Sequence, residues 1–366
     1  MSHRAPGVET SAVVSLDDFE ALARERMDAG AFGYVVGGAG DEETLRENRA
    51  AFARWRLRPR VLVDVDTVDL ATTLLGTRVA MPVGLAPTAR QRLAHPDGEC
   101  AVARAAAAAS VLQVVSTMSS ESLETVAAAA TGPKWSQLYV HKERDVTRAL
   151  VERAAAAGYG AIVLTADFPV PGRRERELRA ELDLDWGGLG NFPDLGGVEF
   201  LPLMAALHDQ RLTWSDLAWI RGLSSLPLVV KGILTAEDAR LAVEHGAAGI
   251  VVSNHGGRQL DRTAATIDVL PEVVEAVGGR GEVYLDGGVR RAVDVLVALA
   301  LGARAVFVGR PHFFALACGG EAGVAQMLGC LRDEIVNAMQ LLGAPRVADV
   351  RRHHVAPGLP PVPRPG

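Results

Sequence analysis

The sequence predicts a single (β/α)8 TIM barrel, and two observations lead to this fold class. Eight short apolar segments rich in Val, Ile and Leu recur between residues 79 and 309, and helix-like segments separate them. Near-continuous apolar strands that alternate with helices indicate a parallel sheet, and eight such units indicate that the sheet closes. An open doubly wound sheet is the alternative, but no G-x-G-x-x-G motif follows the first strand.

Residues 1–78 are expected to form a helical extension in front of the barrel. The stretch 15–30 begins with Ser15 as a cap, has acidic residues in its first turn and repeats apolar residues at helical spacing. Tyr34 and a turn-rich stretch, G-G-A-G-D-E at 37–42, come before a second helix that continues to residue 52. Tyr34 is ambiguous by itself, because a lone aromatic before a turn more often packs than reacts.

The barrel and its closing helix are expected over residues 79–342, within one domain that spans 1–366. A long excursion between 174 and 214 interrupts the fourth unit, and loops of that length are often lids or binding loops. Residues 320–342 read as one closing helix, and the Pro-rich tail at 355–366 is expected to be flexible. The predicted strands are 79–86, 112–116, 134–140, 161–166, 226–231, 249–253, 283–286 and 305–309. The predicted helices between them are 97–109, 123–130, 144–157, 214–222, 236–245, 267–277 and 291–301.

Composition argues against several classes of partner. The net charge of −6 leaves no electrostatic footprint for nucleic acid, and the longest apolar runs are too short and too polar to span a bilayer. Three cysteines have neither the number nor the spacing of a disulfide framework, and the histidines lack the spacing of metal ligands. The first ten residues lack the apolar core of a signal peptide. We therefore expect a cytoplasmic protein without a metal, a nucleic acid or a membrane as partner.

Polar and glycine residues follow every one of the eight predicted strands. In barrels of this class the active site lies at the carboxyl ends of the strands, and packing alone gives no reason for such a concentration there. We therefore expect a functional site at this end. The residues in question are Pro87, Thr88, Ala89, Ser116, Gln137, Tyr139, Thr165, Asp167, Lys231, Ser253, His255, Asp286, Gly287, Gly288, Arg290, Gly309 and Arg310.

The densest of these strand ends is A-A-G-I-V-V-S-N-H-G-G-R-Q-L-D at 247–261. A buried strand ends here in a hydroxyl, an amide, an imidazole and a guanidinium, and such groups need partners when they are buried. A satisfied turn in which His255 caps the strand is the plain alternative. The crowding of Ser253, His255 and Arg258 favours a site over a connector.

The ends of the seventh and eighth strands fit a phosphate. Gly287 and Gly288 allow a close approach of the backbone, while Arg290 and Arg310 add positive charge after strands that commonly bind phosphate in such barrels. Gly309 adds a further small residue at the same place. Two left-handed turns with surface arginines are the plain alternative.

Lys231 brings a charged amine to the mouth of the barrel, where it needs an anion or an electron-rich group. The N1–C2=O edge of a flavin, which gains negative charge on reduction, suits it. A Schiff base or a simple ion pair also explains a lysine at this position, and both alternatives stay open.

Six side chains together suggest acid–base chemistry on an anionic substrate. His255 is a base that titrates near neutral pH, and Asp167 is placed to fix its tautomer and stabilise its protonated form. Arg174 and Arg258 offer forked donors that match a carboxylate. The hydroxyl groups of Tyr34 and Tyr139 are expected to bind the same substrate.

At this point the motifs resemble one family along nearly the whole chain, from Tyr34 to about Leu342. The family is that of the FMN-dependent α-hydroxy acid oxidases and dehydrogenases, which includes glycolate oxidase, lactate oxidase and mandelate dehydrogenase. The most specific string is S-N-H-G-G-R-Q-L-D. The motifs are P-T-A (87–89), A-H-P-D-G-E (94–99), Q-L-Y-V (137–140), T-A-D (165–167), G-R-R (172–174), V-K-G-I-L-T-A-E-D-A (230–239), S-N-H-G-G-R-Q-L-D (253–261), D-G-G-V-R (286–290) and G-R-P (309–311).

The resemblance implies a cofactor, FMN, and a role for each strand end. His255 corresponds to the catalytic base and Asp167 to its partner, with Arg174 and Arg258 as the carboxylate clamp and Tyr34 and Tyr139 as hydrogen-bond donors to the substrate. The residues implied around the flavin ring and ribityl chain are Pro87, Thr88, Ala89, Ser116, Gln137, Thr165, Lys231 and Ser253. Those implied at the ribityl end and the phosphate are Asp286, Gly287, Gly288, Arg290, Gly309 and Arg310.

The implied reaction is the oxidation of an (S)-2-hydroxy acid to a 2-keto acid, with oxygen reduced to hydrogen peroxide. The resemblance also implies a homo-oligomer, a tetramer or octamer. Hydride and carbanion routes both stay open. The alternatives are a dehydrogenase or monooxygenase of the same family, an FMN-dependent prenyl diphosphate isomerase, and a barrel that only binds.

The resemblance to the glycolate oxidases implies a tryptophan at position 118. This chain departs from that pattern with Met118, in S-T-M-S-S. Methionine is flexible and narrower than an indole, so a softer substrate-binding wall is expected there. The substrate is therefore expected to be bulkier than glycolate, either lactate-like, a longer aliphatic acid or mandelate-like.

Overall fold

Eight parallel strands form a closed barrel, as the sequence predicts. The computed structural model describes residues 13–179, 188–192 and 207–358. The barrel strands pair in chain order, and the last pairs with the first to close the sheet. They are β4 (Val83–Leu85), β5 (Leu112–Val115), β6 (Lys134–Leu138), β7 (Ile162–Thr165), β8 (Leu228–Ile233), β9 (Gly249–Val252), β10 (Glu282–Asp286) and β11 (Ala305–Val308).

Helices follow the barrel strands and cover the sheet from outside. Their apolar faces pack on the outward side chains of the strands in one continuous core. Most of the predicted helices are confirmed within a few residues. The helices are α1 (Leu16–Arg26), α2 (Ala29–Val36), α3 (Glu43–Ala50), α4 (Gly98–Ala108), α5 (Leu123–Ala129), α6 (Arg144–Ala156), α7 (Glu175–Arg179), α8 (Asp216–Gly222), α9 (Ala236–Glu244), α10 (Thr266–Val277), α11 (Ala292–Ala300) and α12 (Arg310–Leu342).

The first predicted strand is too long. Only Val83–Leu85 belongs to the barrel, because Val79 ends a separate hairpin in which β2 (Thr72–Leu74) pairs with β3 (Thr77–Val79). Leu74 and Val79 are buried with the side chains that fill the inside of the barrel. The hairpin therefore covers the amino-terminal end of the barrel.

Aromatic side chains fill the barrel interior below the strand ends. The ring of Trp135 lies 5.5 Å from that of Tyr284 and 6.0 Å from that of Phe307, and the last two rings are 5.6 Å apart. All three residues are buried. The barrel is thus a packed core and leaves room for a ligand only above these rings.

The closing helix predicted over residues 320–342 is confirmed, and a further helical segment precedes it across a kink. Helix α12 starts at Arg310, directly after β11, and its regular backbone is interrupted at Gly319 and Gly320. Gly320 has a φ of 57°, and a side chain there would meet the ring of His95. By length and hydropathy α12 could cross a membrane, but more than half of the apolar window is buried inside the protein. That burial is typical of a core helix.

The N-terminal extension is hydrogen-bonded to the barrel at the carboxyl ends of the strands. The side chains of Asn48 and Asn254 donate to each other over 2.8 Å, and the backbone of Thr44 donates to Asp261 over 2.8 Å. Helix α3 is therefore tied to the loop after β9. Residues 55–57 form β1 (Trp55–Leu57), which pairs with β12 (Val355–Pro357).

Two expectations concern segments only partly described. The first three residues of the expected flexible tail, 355–366, belong instead to β12, because their backbone pairs with β1; residues 359–366 lie outside the described part. The excursion after Arg174 begins with the short helix α7, and residues 180–187 and 193–206 also lie outside it. The expected lid thus stays a prediction.

Candidate active site

A cavity lies at the carboxyl ends of the barrel strands. Apolar walls and a few converging polar side chains line it, as is typical of small-molecule and cofactor sites. Nearly all of the residues predicted at the site line it. They are Tyr34, Pro87, Thr88, Ala89, Ser116, Gln137, Tyr139, Thr165, Arg174, Lys231, His255, Arg258, Asp286, Gly287, Gly288, Arg290, Gly309 and Arg310.

Three predicted residues are not among those that line the cavity in the described chain. Asp167 and Ser253 lie behind the wall and bind residues that form it. Met118, predicted to form a substrate-binding wall, is fully buried in a small apolar cluster with Tyr139, Phe168 and Leu189. The prediction for Met118 is corrected accordingly, because this side chain is packed with Tyr139 and Phe168 and is not among the described residues that line the cavity.

His255 is presented by a strained turn. Its φ is 58°, in the left-handed region that non-glycine residues rarely adopt, and Gly256 and Gly257 continue that turn with φ of 63° and 75°. The backbone N–H of His255 donates to Ser253 Oγ over 3.1 Å, which helps to hold this conformation. Strain of this kind is found where the surrounding structure fixes a functional side chain.

The imidazole of His255 is paired with Asp167. His255 Nδ1 lies 3.0 Å from Asp167 Oδ1, so Nδ1 carries the proton and Nε2 is left as the basic nitrogen. Burial lowers the pKa of His255, and Asp167 opposes this shift. Burial also opposes ionisation of Asp167, but His255 and Lys231 together hold the pKa of this carboxyl below its ordinary value. The pair therefore combines a neutral base with an ionised carboxylate.

Lys231 is held in the floor of the cavity as a cation. Its Nζ donates to Ser253 Oγ over 2.9 Å and lies 3.5 Å from Asp286 Oδ2. Burial opposes its charge, but Asp286 and Asp167 raise the pKa of the amine above its ordinary value. Ser253, predicted to contact a cofactor, instead positions the lysine that does line the cavity.

Polar side chains at the ends of β5, β6 and β7 form a hydrogen-bonded row. Gln137 Oε1 accepts from Ser116 Oγ over 3.2 Å, and Gln137 Nε2 donates to Thr165 Oγ1 over 3.0 Å. The three side chains are buried and all line the cavity. This row offers donors and acceptors to one edge of a flat polar ligand.

The glycines after β10 allow the chain to pass very close to the N-terminal extension. Gly287 and Gly288 have φ of 95° and 85°, and a Cβ on Gly288 would lie 1.9 Å from the carbonyl oxygen of Asn48. No other residue fits this position without moving α3. The close approach leaves backbone groups, rather than side chains, to face the cavity.

Buried positive charge surrounds the same end of the cavity. Arg310 donates to the carbonyl oxygens of Val35, Gly37 and Gly256 over 2.9 to 3.0 Å. Its pKa is far below the ordinary value because of burial and the nearby charges of Arg258 and Arg290. Burial also lowers the pKa of Arg290, to about 10. An anion bound here would be stabilised by these charges.

These features fit FMN in both shape and charge. Asp286 Oδ1 is buried without a hydrogen-bond partner among the described residues, at a position suited to a ligand hydroxyl. The buried arginines and the glycine turns form a phosphate site at one end, and Lys231 with the Gln137 row supplies the polar edge. The donor set thus matches a flavin ring, a ribityl chain and a phosphate.

Arg174 and Arg258 lie together, as predicted, and both contact a carboxylate that was not predicted. Glu177 Oε1 lies 3.1 Å from Arg258 Nη2 and 3.4 Å from Arg174 Nη1. The guanidinium of Arg258 stacks on Tyr34, with Cζ 4.9 Å from the ring centroid. Tyr139 lines the same cavity, and burial and Asp167 raise the pKa of its hydroxyl, which stays protonated and able to donate.

Sequence reasoning also missed apolar wall residues. Phe168 lies between the predicted partners, with ring centroids 5.1 Å from Tyr139 and 5.8 Å from His255. Its position directly after Asp167 at a strand end is the only signal the sequence offers. The others that line the cavity are Val35, Ala86, Gly256, Val289, Phe307, Val308 and Phe313.

Comparisons with known proteins agree with this geometry. The profile of the FMN-dependent dehydrogenase family matches residues 23–357. Glycolate oxidase 3 of Arabidopsis thaliana is 48% identical over 94% of this chain and 96% of its own length. L-lactate oxidase of Nostoc sp. is 49% identical over 93% of this chain and 97% of its own length.

Solved structures of a mandelate oxidase are similar over the whole fold. One such structure covers 96% of this chain and all of its own, with a TM-score of 0.90 and 44% sequence identity. A variant of that enzyme solved with (S)-mandelic acid has a TM-score of 0.89 at the same identity and covers 95% of this chain.

Proposed function

The chain belongs to the FMN-dependent dehydrogenase family, and from this membership we propose that it oxidises an (S)-2-hydroxy acid larger than glycolate. It is an FMN-dependent 2-hydroxy acid oxidase, which forms the 2-keto acid and passes electrons to oxygen to give hydrogen peroxide. The observation that carries this function is the His255–Asp167 pair at 3.0 Å, set at the wall of a cavity that also holds two arginines and a buried lysine.

Each substrate group has a matching residue in the proposed arrangement. Arg174 and Arg258 bind the substrate carboxylate, because two guanidiniums beside each other match its charge and shape. Tyr34 and Tyr139 donate hydrogen bonds to the oxygens of the substrate. The 2-hydroxy acid is thereby oriented with its C2 group towards His255.

His255 acts as the base in this proposal. Its Nε2 accepts a proton from the substrate, and the resulting imidazolium is stabilised by the Asp167 carboxylate at Nδ1. Burial lowers the pKa of His255, which favours the neutral imidazole before the reaction. When bound, FMN supplies the two-electron acceptor that the oxidation requires.

The residues proposed to hold FMN are those that line the opposite side of the cavity. The segment 87–89, Ser116, Gln137, Thr165 and Lys231 would bind its ring and ribityl chain. The 287–290 turn, with the 309–310 pair, would bind its phosphate. Ser253 acts through Lys231, which it orients by a hydrogen bond.

The larger substrate is supported by the aromatic wall. Tyr139 and Phe168 line the cavity, and Met118 and Leu189 pack against them. An apolar wall stabilises an aliphatic or aryl side chain at C2, which glycolate lacks. The flexible methionine behind the rings allows them to adjust. We therefore favour lactate-like, longer aliphatic or mandelate-like acids.

A panel of 2-hydroxy acids tests this proposal. Glycolate, (S)-lactate, (S)-2-hydroxyhexanoate and (S)-mandelate are mixed anaerobically with the holoenzyme, and the loss of the visible flavin absorbance is followed. We expect faster reduction by one of the three larger acids than by glycolate, with (R)-mandelate as the matched control. Fastest reduction by glycolate would contradict the proposed size preference.

Admission of air then separates an oxidase from a dehydrogenase or monooxygenase of the same family. Rapid recovery of the flavin absorbance with one equivalent of hydrogen peroxide is expected. Slow reoxidation, or recovery with the decarboxylated acid as product, would favour the dehydrogenase or the monooxygenase.

A homo-oligomer is also part of the proposal. Val61 and Leu62 are largely exposed apolar side chains, and Leu62 adopts a φ of 58°. The adjacent backbone of Arg60 donates to Leu342 over 2.9 Å, next to the exposed Leu341. Light scattering on the purified protein gives the mass that checks this: a tetramer or octamer is expected, and a monomer contradicts it.

A further inference from the structure

Glu177 is a buried carboxylate in contact with both arginines of the proposed substrate clamp. One of its oxygens, Oε1, lies 3.1 Å from Arg258 Nη2 and 3.4 Å from Arg174 Nη1. Glu177 and Arg174 are almost completely buried, at 7% and 2% exposure. A carboxylate in this position competes for the donors that a substrate carboxylate needs, so its presence requires a reason.

The donors of Arg258 show what Glu177 leaves for the substrate. Nη1 donates to the carbonyl oxygens of Tyr34 and Gly37, each over 2.7 Å, and Nη2 donates to Glu177. Three of the five N–H groups of this guanidinium are therefore engaged within the described chain. These contacts come from two separate elements, α2 with its following turn and α7, and together they fix the plane of the guanidinium.

The charges in the cluster require a resident anion. Burial lowers the pKa of Arg258, the adjacent charge of Arg174 lowers it further, and Glu177 opposes both effects. Two guanidiniums next to each other repel, and without a carboxylate between them they would separate in the substrate-free protein. Arg174 Nε also donates to the carbonyl oxygen of Arg258 over 3.3 Å, so the two residues form one unit with Glu177.

We propose that Glu177 is a positioning residue that holds Arg174 and Arg258 in one orientation and sets the net charge of the clamp. This inference rests on the proposed function. Two arginines and one glutamate give the clamp a single positive charge, which one carboxylate neutralises. The clamp is thus matched to a 2-hydroxy acid with one carboxylate and a neutral side chain, in agreement with the apolar wall of Tyr139 and Phe168.

A purely structural reading assigns Glu177 only to the anchoring of α7. That helix has another anchor, because Arg176 makes two hydrogen bonds with Glu42 over 2.7 and 2.9 Å. Glu175 lies on the same helix and pairs with Arg179. Arg176→Gln and Glu175→Gln therefore change the anchoring or the charge of α7 and leave the clamp in place, which makes them matched controls.

The test compares Glu177→Gln, Glu177→Asp and the two controls as holoenzymes. Two readouts are measured: the limiting anaerobic rate of flavin reduction by the best acid of the panel, and the dissociation constant of phenylacetate. Phenylacetate has a carboxylate but no hydroxyl to oxidise, so its binding, followed by perturbation of the flavin spectrum, reports on the clamp without turnover.

Glu177→Gln is expected to lower the limiting rate by about 10- to 100-fold, because the arginines lose their common orientation. Phenylacetate is expected to bind at least as tightly as before, because the clamp gains a net positive charge. Glu177→Asp should recover part of the rate, and both controls should stay within about twofold of the unaltered protein. This split between rate and binding is what a positioning role produces.

Other results would overturn the proposal. A limiting rate within twofold of the unaltered protein, a loss of phenylacetate binding as large as the loss of rate, or equal losses in Arg176→Gln would each show that Glu177 only anchors α7. If Glu177→Gln fails to fold, Glu177→Asp tests the positioning alone because it keeps the charge, and a limiting rate within twofold of the unaltered protein would then overturn the proposal. Failure of the proposed function is seen separately, as a lack of flavin reduction in the unaltered protein with every acid of the panel.

Discussion

The contact between His255 and Asp167 allows the cost of removing one negative charge to be worked out. Asp167→Asn keeps the shape of the side chain and removes its charge. At the observed 3.0 Å, the attraction between the carboxylate and a protonated imidazole is about 5.5 kcal/mol at an effective dielectric constant of ~20. This attraction exists only once His255 has accepted the proton, so its loss raises the barrier. The expected loss of rate approaches about 10⁴-fold.

The assay is the anaerobic rate of flavin reduction at saturating substrate, followed as a function of pH. FMN content should be unchanged, because Asp167 does not line the cavity in the described chain. Asp167 counteracts the effect of burial on His255, so its removal lowers the pKa of His255 further. The imidazole of the variant therefore stays neutral down to a lower pH than in the unaltered protein. The loss of rate is expected at every pH at which the imidazole is neutral in both proteins.

A double variant tells whether the two residues act as one unit. His255→Ala alone should retain FMN and nearly abolish reduction, and adding Asp167→Asn to it should have little further effect. A loss below tenfold in Asp167→Asn, or a rate restored by raising the pH, would refute the reasoning. So would full additivity in the double variant.

Two further predictions concern stability. Burial lowers the pKa of His312 to about 4, so its contribution to stability is present above pH 6.5 and lost as the pH falls towards 4; between pH 7 and 5 the loss is about 2 kcal/mol. The free energy of unfolding in urea is measured at pH 7 and pH 5. His312→Gln should reduce the fall of this free energy between the two pH values by about 2 kcal/mol, whereas the exposed control His353→Gln should leave the fall unchanged. An unchanged fall in His312→Gln would contradict the lowered pKa of His312. Met118→Ala should lower the free energy of unfolding by about 2 to 5 kcal/mol, because it opens a cavity in a fully buried cluster. It should slow all acids of the panel similarly, and a selective effect on large acids would place Met118 at the cavity wall after all.

The fold could be predicted because the barrel strands are buried on both faces and most of them therefore read as largely apolar runs. The same property caused the error at residues 79–86. Val79 belongs to a hairpin that covers the barrel, and an apolar residue there looks the same as one in the adjoining strand. Periodicity reports burial, and the hairpin and the barrel bury their side chains in one cluster.

The site could be predicted where chemistry contrasts with its surroundings. His255 and Lys231 stand out because a polar group directly follows an apolar strand. Glu177 gives no such signal, since it lies among the charged residues E-R-E-L-R, where only the fold shows which carboxylate turns inward. Phe168 was missed for the opposite reason, because an apolar residue after a strand resembles core.

The direction of a side chain beyond a strand end is also difficult to predict from the sequence. Met118 follows β5 by only three residues, within the turn that begins with Ser116, but it is fully buried and is not among the described residues that line the cavity. The backbone N–H of Ser119 donates to the carbonyl oxygen of Ser116 over 3.1 Å and closes this turn, and the backbone N–H of Met118 donates to Ser116 Oγ over 3.1 Å. Such local geometry depends on the side chain of one neighbour and leaves no periodic pattern in the sequence.

The aromatic rings of Trp135, Tyr284 and Phe307 have a consequence for the order of events in each turnover. These rings block the barrel axis, so the cavity above them is closed at its lower end, where Phe307 is one of the residues that line it. Among the described residues the cavity is lined at the carboxyl ends of the strands, so acid, keto acid and oxygen approach it from that side. A 2-keto acid that dissociates slowly blocks the access of oxygen to the cavity. The turnover rate in air then depends on the rate of product release.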